Sequence, residues 1–221
     1  MELAVSGRRE SSKLDKRRRI SEAARAVFTE FGYARANMRE IAKRAGVATG
    51  TLFLYAPDKR NLLLWILNDD LDAVTETSFA SLETVHPDDD LLAQLVFVFE
   101  ARYHYWGADS DLALHALQEL IIARDVPGSH LAPYQQRRLI LQEHVVTLVR
   151  RQQQRGRIRA TEDPAGVARL ILAIYNSAIR DWLRANEANV TQGIADLREL
   201  LALALTGCTI ASARGVGETL N

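Results

Sequence analysis

The chain has 221 residues, 48% of them hydrophobic and 25% charged, a length that fits one large domain or two small ones around a sizeable core. A single cysteine, Cys208, excludes an internal disulfide, and its expected place is that of a small buried apolar residue. The net charge of zero hides a split: residues 1–60 hold 14 Lys and Arg against 7 Asp and Glu, residues 61–221 hold 14 against 21, and all four lysines (Lys13, Lys16, Lys43, Lys59) fall in the first part, which points to a polyanion partner for that part alone.

Residues 1–12 are polar and aperiodic, the composition of a disordered tail. Helical spacing begins at Leu14, and Ile20, Ala24, Val27, Phe28 and Phe31 share one face. Gly32 supplies a stop. Asn37-x-x-Glu40 has the form of a capping box: Asn37 caps a short helix and Glu40 reaches back. Ile41, Ala42 and Ala45 form the inner face of that helix, Gly46 ends it, and Val47 plugs the turn. A second short helix runs from Ala48 or Thr49 to Tyr55. Pro57 breaks it, and Asp58 caps a longer helix starting near Lys59.

After residue 60 the apolar residues keep a helical period and none alternate as a strand. Leu63, Ile66, Leu67, Leu71 and Val74 mark one helix. Leu92, Leu95, Val96, Phe99 and Tyr103 mark another, behind the acidic start Asp88-Asp89-Asp90. A helix over 112–123, a loop at Pro127-Gly128-Ser129 and a helix carrying Leu141, Val145, Leu148 and Val149 follow. The cleanest period runs from the cap Asp163 and Pro164 through Val167, Ile171, Ile174, Tyr175, Ala178 and Trp182. A last helix spans about 191–211, with Leu197, Leu201 and Leu205 on one side. The expectation is an all-α chain of about nine helices: a tail over 1–12, a helix-turn-helix DNA-binding domain over 13–58, a larger helical domain over 59–213, and a loose tail over 214–221.

Two short helices joined at a glycine match a helix-turn-helix, whose second helix enters the major groove. Thr49, Gly50 and Thr51 are small enough to approach bases. Lys43, Arg44 and Lys59 are placed to hold phosphates. Catalytic signatures are missing: His104 and His115 lack metal-ligand spacing, and no phosphate-binding glycine loop or nucleophile elbow occurs. No enzyme activity, metal or cofactor is expected. The run LLALALTGCTIASA is shorter than the roughly 20 residues of a spanning helix, and no apolar leader precedes the basic start, so a soluble cytoplasmic protein without membrane contact is expected.

The run Arg19-Ile20, Ala23-Ala24, Phe28, Phe31-Gly32-Tyr33, Met38-Arg39-Glu40-Ile41-Ala42, Ala45-Gly46-Val47, Gly50-Thr51-Leu52-Phe53, Tyr55, Lys59 and Leu62-Leu63 resembles the TetR/AcrR family of bacterial transcriptional regulators. The resemblance implies that the helix over 49–55 reads DNA, with Asn37, Lys43, Tyr55 and Lys59 on phosphates and Thr49, Gly50 and Thr51 near bases. Phe53 stands where the family commonly has a tyrosine, Ala48 where it has a serine, and Ala56 where it has a large aromatic. It further implies a homodimer, a palindromic double-stranded DNA operator, and a small-molecule effector that relieves repression. Trp65, Phe97, Tyr103, Trp106 and His115 read either as core or as the lining of an effector pocket; the family favours a pocket. Ile171, Ile174, Tyr175, Ala178, Trp182, Leu197, Leu201 and Leu205 read either as intramolecular core or as a dimer seam; the family favours the seam. A helical ligand carrier with an incidental basic end, and an architectural DNA binder without an effector, are the rival classes.

Overall fold

The computed structural model describes residues 2–122, 131–185 and 189–209. These residues form nine helices: α1 (Glu2–Arg35), α2 (Met38–Arg44), α3 (Thr49–Tyr55), α4 (Lys59–Val85), α5 (Leu91–Gly107), α6 (Ser110–Ile122), α7 (Leu131–Gln154), α8 (Pro164–Arg184) and α9 (Val190–Leu205). Among the described residues there is no strand, only an isolated bridge between Ile158 and Thr209. The loop expected at Pro127-Gly128-Ser129 and the tail expected over 214–221 lie outside the described residues.

The expected tail over 1–12 is a correction. Helix α1 already runs from Glu2, because Glu2, Leu3, Ala4, Arg8, Arg9 and Glu10 are adequate helix formers that need no apolar face to extend an existing helix. The helical run is interrupted where expected, at Gly32, whose φ of 72° and ψ of 156° lie outside the helical region. Carboxylate caps also stand where the sequence put them. Asp58 Oδ1 accepts from Asn61 N at 2.7 Å, Asp90 Oδ1 from Ala93 N at 2.8 Å, and Asp163 Oδ2 from Gly166 N at 2.9 Å.

Helices α1–α3 form the head. Ile20, Ala24, Val27, Phe28, Ile41, Ala42, Leu52 and Ala56 close its core. In the body α5 packs against α4 and α9, α7 against α4 and α8, and α8 against α9. The arginines at and just after the end of α7 are not a free basic cluster: Arg151 pairs with Glu83 near the end of α4, Arg155 pairs with Asp88, and Arg157 donates to the carbonyls of Asp88 and Asp89 in the connection between α4 and α5. No described helix is long and apolar enough to cross a membrane.

The dimer-seam expectation needs correcting too. Ile171, Tyr175, Ala178, Trp182, Leu197, Leu201 and Leu205 are all buried within the single protomer, and only Ile174 keeps partial exposure. The apolar stripe of α8 is wide enough for two tasks, and its central part packs inward on α5, where Tyr175 stacks on Phe99 at 4.5 Å and Trp182 meets Tyr103 at 4.9 Å. The large apolar side chains that α8 and α9 leave exposed are Leu170, Leu200 and Leu203.

Candidate nucleic-acid interface and effector cavity

Asn37 caps α2 through Oδ1, which accepts from Arg39 N at 2.8 Å. The reciprocal half of the expected capping box does not form, because Glu40 instead accepts from Arg44 Nε at 2.8 Å. Arg44 also reaches Glu30 at 2.5 Å and lies over the Phe31 ring. The hydrogen bonds it donates to the Glu30 and Glu40 carboxylates raise its pKa well above the ordinary arginine value. Arg44 is therefore a tie between α1 and α2 and has two carboxylates in place of a phosphate. Lys43 next to it is exposed and makes no ion pair among the described residues.

The turn between α2 and α3 requires Gly46. Its φ is +63°, and an added Cβ would sit 3.2 Å from Arg19 Nη1, which donates to the Ala45 carbonyl at 3.1 Å. Ala48 precedes α3 without a side-chain cap. Along α3, Leu52 points inward and is fully buried, while Gly50, Phe53 and Leu54 are exposed; Leu54 is 87% accessible. Thr49, Thr51 and Tyr55 are half-buried at the flanks. The outer face of α3 is thus small at its start and apolar at its end, with no charge. Phe53 and Leu54 suit contact with thymine methyl groups. The sequence reading passed over Leu54, although its i+4 spacing from Gly50 was the signal that put it on the same face.

Lys59 is placed differently from expectation. Its Nζ donates to the carbonyls of Tyr33 at 2.6 Å and Ala34 at 2.9 Å, and lies 4.6 Å from the Tyr33 ring centroid. The ammonium holds the end of α1 and has one N–H left for any outside acceptor.

The five expected pocket residues do not share a cavity. Trp65 sits at the seam of head and body, stacked on Tyr55 at 6.0 Å and bonded to Asp69 at 2.7 Å. His115 faces Tyr33 at 5.5 Å in the same seam. Phe97 lies at the surface beside His86. Tyr103 is fully buried, its hydroxyl pKa raised by desolvation, and Trp106 donates to Tyr175 Oη at 3.2 Å. Aromatic character alone could not separate these environments, because each ring is satisfied by packing in a different place.

Phe97 lines an open groove of about 520 Å³ between α4 and α5, and two other cavities lie elsewhere in the body. One of about 110 Å³ opens between α4, α5 and α7, and one of about 450 Å³ between α5, α7 and α8. Arg102, Arg138 and Leu141 line both. Helix α4 connects this region to the head. Asp69 pairs with Arg17 at 3.1 Å and Asp70 with Arg25 on α1, while Asp72 pairs with Arg137 at 2.5 Å in the cavity wall.

A basic head carrying α2, a glycine turn and α3, set on a helical body with internal cavities, defines a helix-turn-helix DNA-binding protein. Residues 20–66, which include α2 and α3, match the bacterial regulatory proteins of the tetR family. It is 24% identical over 181 residues to the HTH-type transcriptional regulator UidR of Escherichia coli K12, covering 80% of this chain and 88% of UidR. It is 38% identical over 79 residues to the HTH-type transcriptional repressor KstR of Mycobacterium tuberculosis, covering 34% of this chain and 36% of KstR. Among solved structures, the Thermus thermophilus transcriptional repressor FadR in complex with lauroyl-CoA superposes with a TM-score of 0.67 at 23% identity, over 91% of this chain and all of that one.

Proposed function

We propose that this protein is a homodimeric transcriptional repressor that leaves its operator when a small molecule occupies the cavity beside α4. The observation that carries the reading is the outer face of α3, which is small, uncharged and unobstructed, next to the unpaired cation of Lys43. Gly50 with Thr49 and Thr51 approaches base edges, Phe53 and Leu54 meet apolar base surface, and Asn37, Lys43, Tyr55 and the remaining Lys59 N–H hold phosphates. Two protomers joined along Leu170, Leu200, Leu203 and Ile174 set two α3 helices about one helical turn of a palindromic site apart. The protein works in the cytoplasm as a binding protein, with no catalytic step and no cofactor. Relatives named as regulators and repressors support the reading.

Effector action requires different affinities for the DNA-bound and released arrangements. The Asp69 and Asp70 pairs to α1 and the Asp72 pair in the cavity wall lie within one turn of α4, which gives the cavity a physical connection to the head. The test is operator binding across a salt series. Affinity falls steeply with salt if phosphates are contacted, and binding that is absent or indifferent to salt rejects the reading.

A further inference from the structure

Arg102, in the middle of α5, is only 8% exposed. Its Nε donates to Tyr175 Oη at 3.0 Å and its Nη1 to Thr75 Oγ1 at 2.9 Å, and its guanidinium lies 5.5 Å from the Tyr175 ring centroid. Both hydrogen-bond partners are neutral. Among the described residues no carboxylate pairs with it, whereas Arg25, Arg44 and Arg137 have Asp70, Glu30 and Asp72. A guanidinium this deep without a counter-ion is unfavourable unless an anion joins it. It stands where the two cavities meet.

The neighbouring hydroxyl adds a second donor. Tyr175 Oη accepts from Arg102 Nε and from Trp106 Nε1, so its own O–H remains to be given, and among the described residues no acceptor takes it. Four arginines line the two cavities against two carboxylates; of the latter, Asp72 is paired with Arg137 and Glu76 is exposed. Arg138 and Arg169 are exposed at the walls. The rest of the lining that matters is apolar: Leu71 and Ile140 on one side, Leu139 and Leu172 on the other.

We propose that the effector is an organic anion, a carboxylate or phosphate group on an apolar body, whose charged end is held by the free guanidinium edge of Arg102 and the Tyr175 O–H. This rests on the reading that the cavity beside α4 holds the effector. A planar guanidinium takes either head group, and a hydroxyl donor next to it fixes the orientation.

Calorimetric titration of the full chain with decanoate, decyl phosphate and decanol tests it, since the three share one apolar body. At least one of the two anions binds about tenfold or more tighter than decanol, as expected for a hydrogen-bonded charge, and comparing the two identifies the head group. Arg102→Met removes most of that preference while decanol affinity stays. This variant retains the fold, because Thr75 Oγ1 still donates to Leu71 O and Tyr175 still receives Trp106. Arg102→Lys, which keeps the charge without the planar fork, weakens the anion less, and Tyr175→Phe weakens it in part. Decanol binding as tightly as both anions, an undiminished preference in Arg102→Met, or no binding of any of the three overturns the inference. Ligand-free operator binding is measured in parallel. Operator binding without anion preference leaves the repressor reading intact and removes this one; Arg102-dependent anion binding without operator binding does the reverse.

Discussion

Replacing Gly50 by alanine separates the needs of the fold from those of DNA. Gly50 is the second residue of α3, and a Cβ built there meets nothing within 4 Å. The methyl therefore carries no steric cost in the free protein. Alanine exceeds glycine as a helix former by about 1 kcal/mol in a helix interior; near the end of a seven-residue helix about half of that applies, which raises Tm by roughly 1–2 °C for a chain of this size. Against a duplex the same methyl occupies the narrowest part of the reading face. An extra methyl forced into a close-packed contact costs about 1–3 kcal/mol, so operator affinity falls by about 5- to 150-fold. Fluorescence anisotropy on a labelled operator at fixed salt, with a thermal melt of the same sample, reads both effects. Gly46→Ala is the control: its left-handed backbone costs a side chain about 1–2 kcal/mol and its methyl presses on Arg19, so stability and affinity fall together. An unchanged operator affinity in Gly50→Ala would show that α3 does not approach bases through this residue. A lowered Tm would show that the glycine answers to the fold instead.

The two lysines of the head should behave differently from each other. Lys59→Ala strips two carbonyls at the end of α1 of a charged donor and lowers stability by about 2 kcal/mol, seen in urea unfolding; Lys43→Ala leaves stability within about 0.5 kcal/mol and flattens the salt dependence of operator binding by about one unit. Leu203→Glu, at a position 77% exposed on α9, yields a folded monomer in sedimentation, and a persisting dimer would move the seam elsewhere. The hydrogen bond from Arg44 holds the Glu30 carboxyl below its ordinary value of 4.5. A depressed carboxyl stabilises the fold above its unfolded pKa and loses that contribution as pH falls through the lower folded value. Thermal melts below about pH 4.5 should therefore decline less steeply for Glu30→Gln than for the natural chain, and parallel curves would show that the pair carries no linkage.

Helix ends were legible because their chemistry is local. Asp58, Asp90 and Asp163 announce caps within three residues of the groups they satisfy, and Gly46 announces a backbone only glycine adopts cheaply. Long-range destinations were not legible. The periodicity of α8 shows that Tyr175 and Trp182 share a face, but burial against α5 or against a second chain gives the same period. Arg102 reads as an ordinary charged residue in an apolar helix until Thr75 and Tyr175 converge on it from other helices. Lys59 and Arg44 looked like free cations because Tyr33, Ala34, Glu30 and Glu40 meet them only after α1 and α2 have packed. In the head, local signals sufficed to place α2 and α3 as a reading unit, and the i+4 spacing of Leu54 from Gly50 put it on the reading face, although its exposure there shows only once α3 is packed.

Helix α4 has 27 residues and starts beside the end of α3. From Lys59 to Asp72 a straight helix measures about 20 Å at 1.5 Å per residue. Were such a rod to tilt by about 5° about Asp72, its far tip would sweep through nearly 2 Å by that length. Since Lys59 grips the terminal carbonyls of α1, such a swing would be passed to the head, and under the effector action proposed above it would carry α3 out of step with its groove.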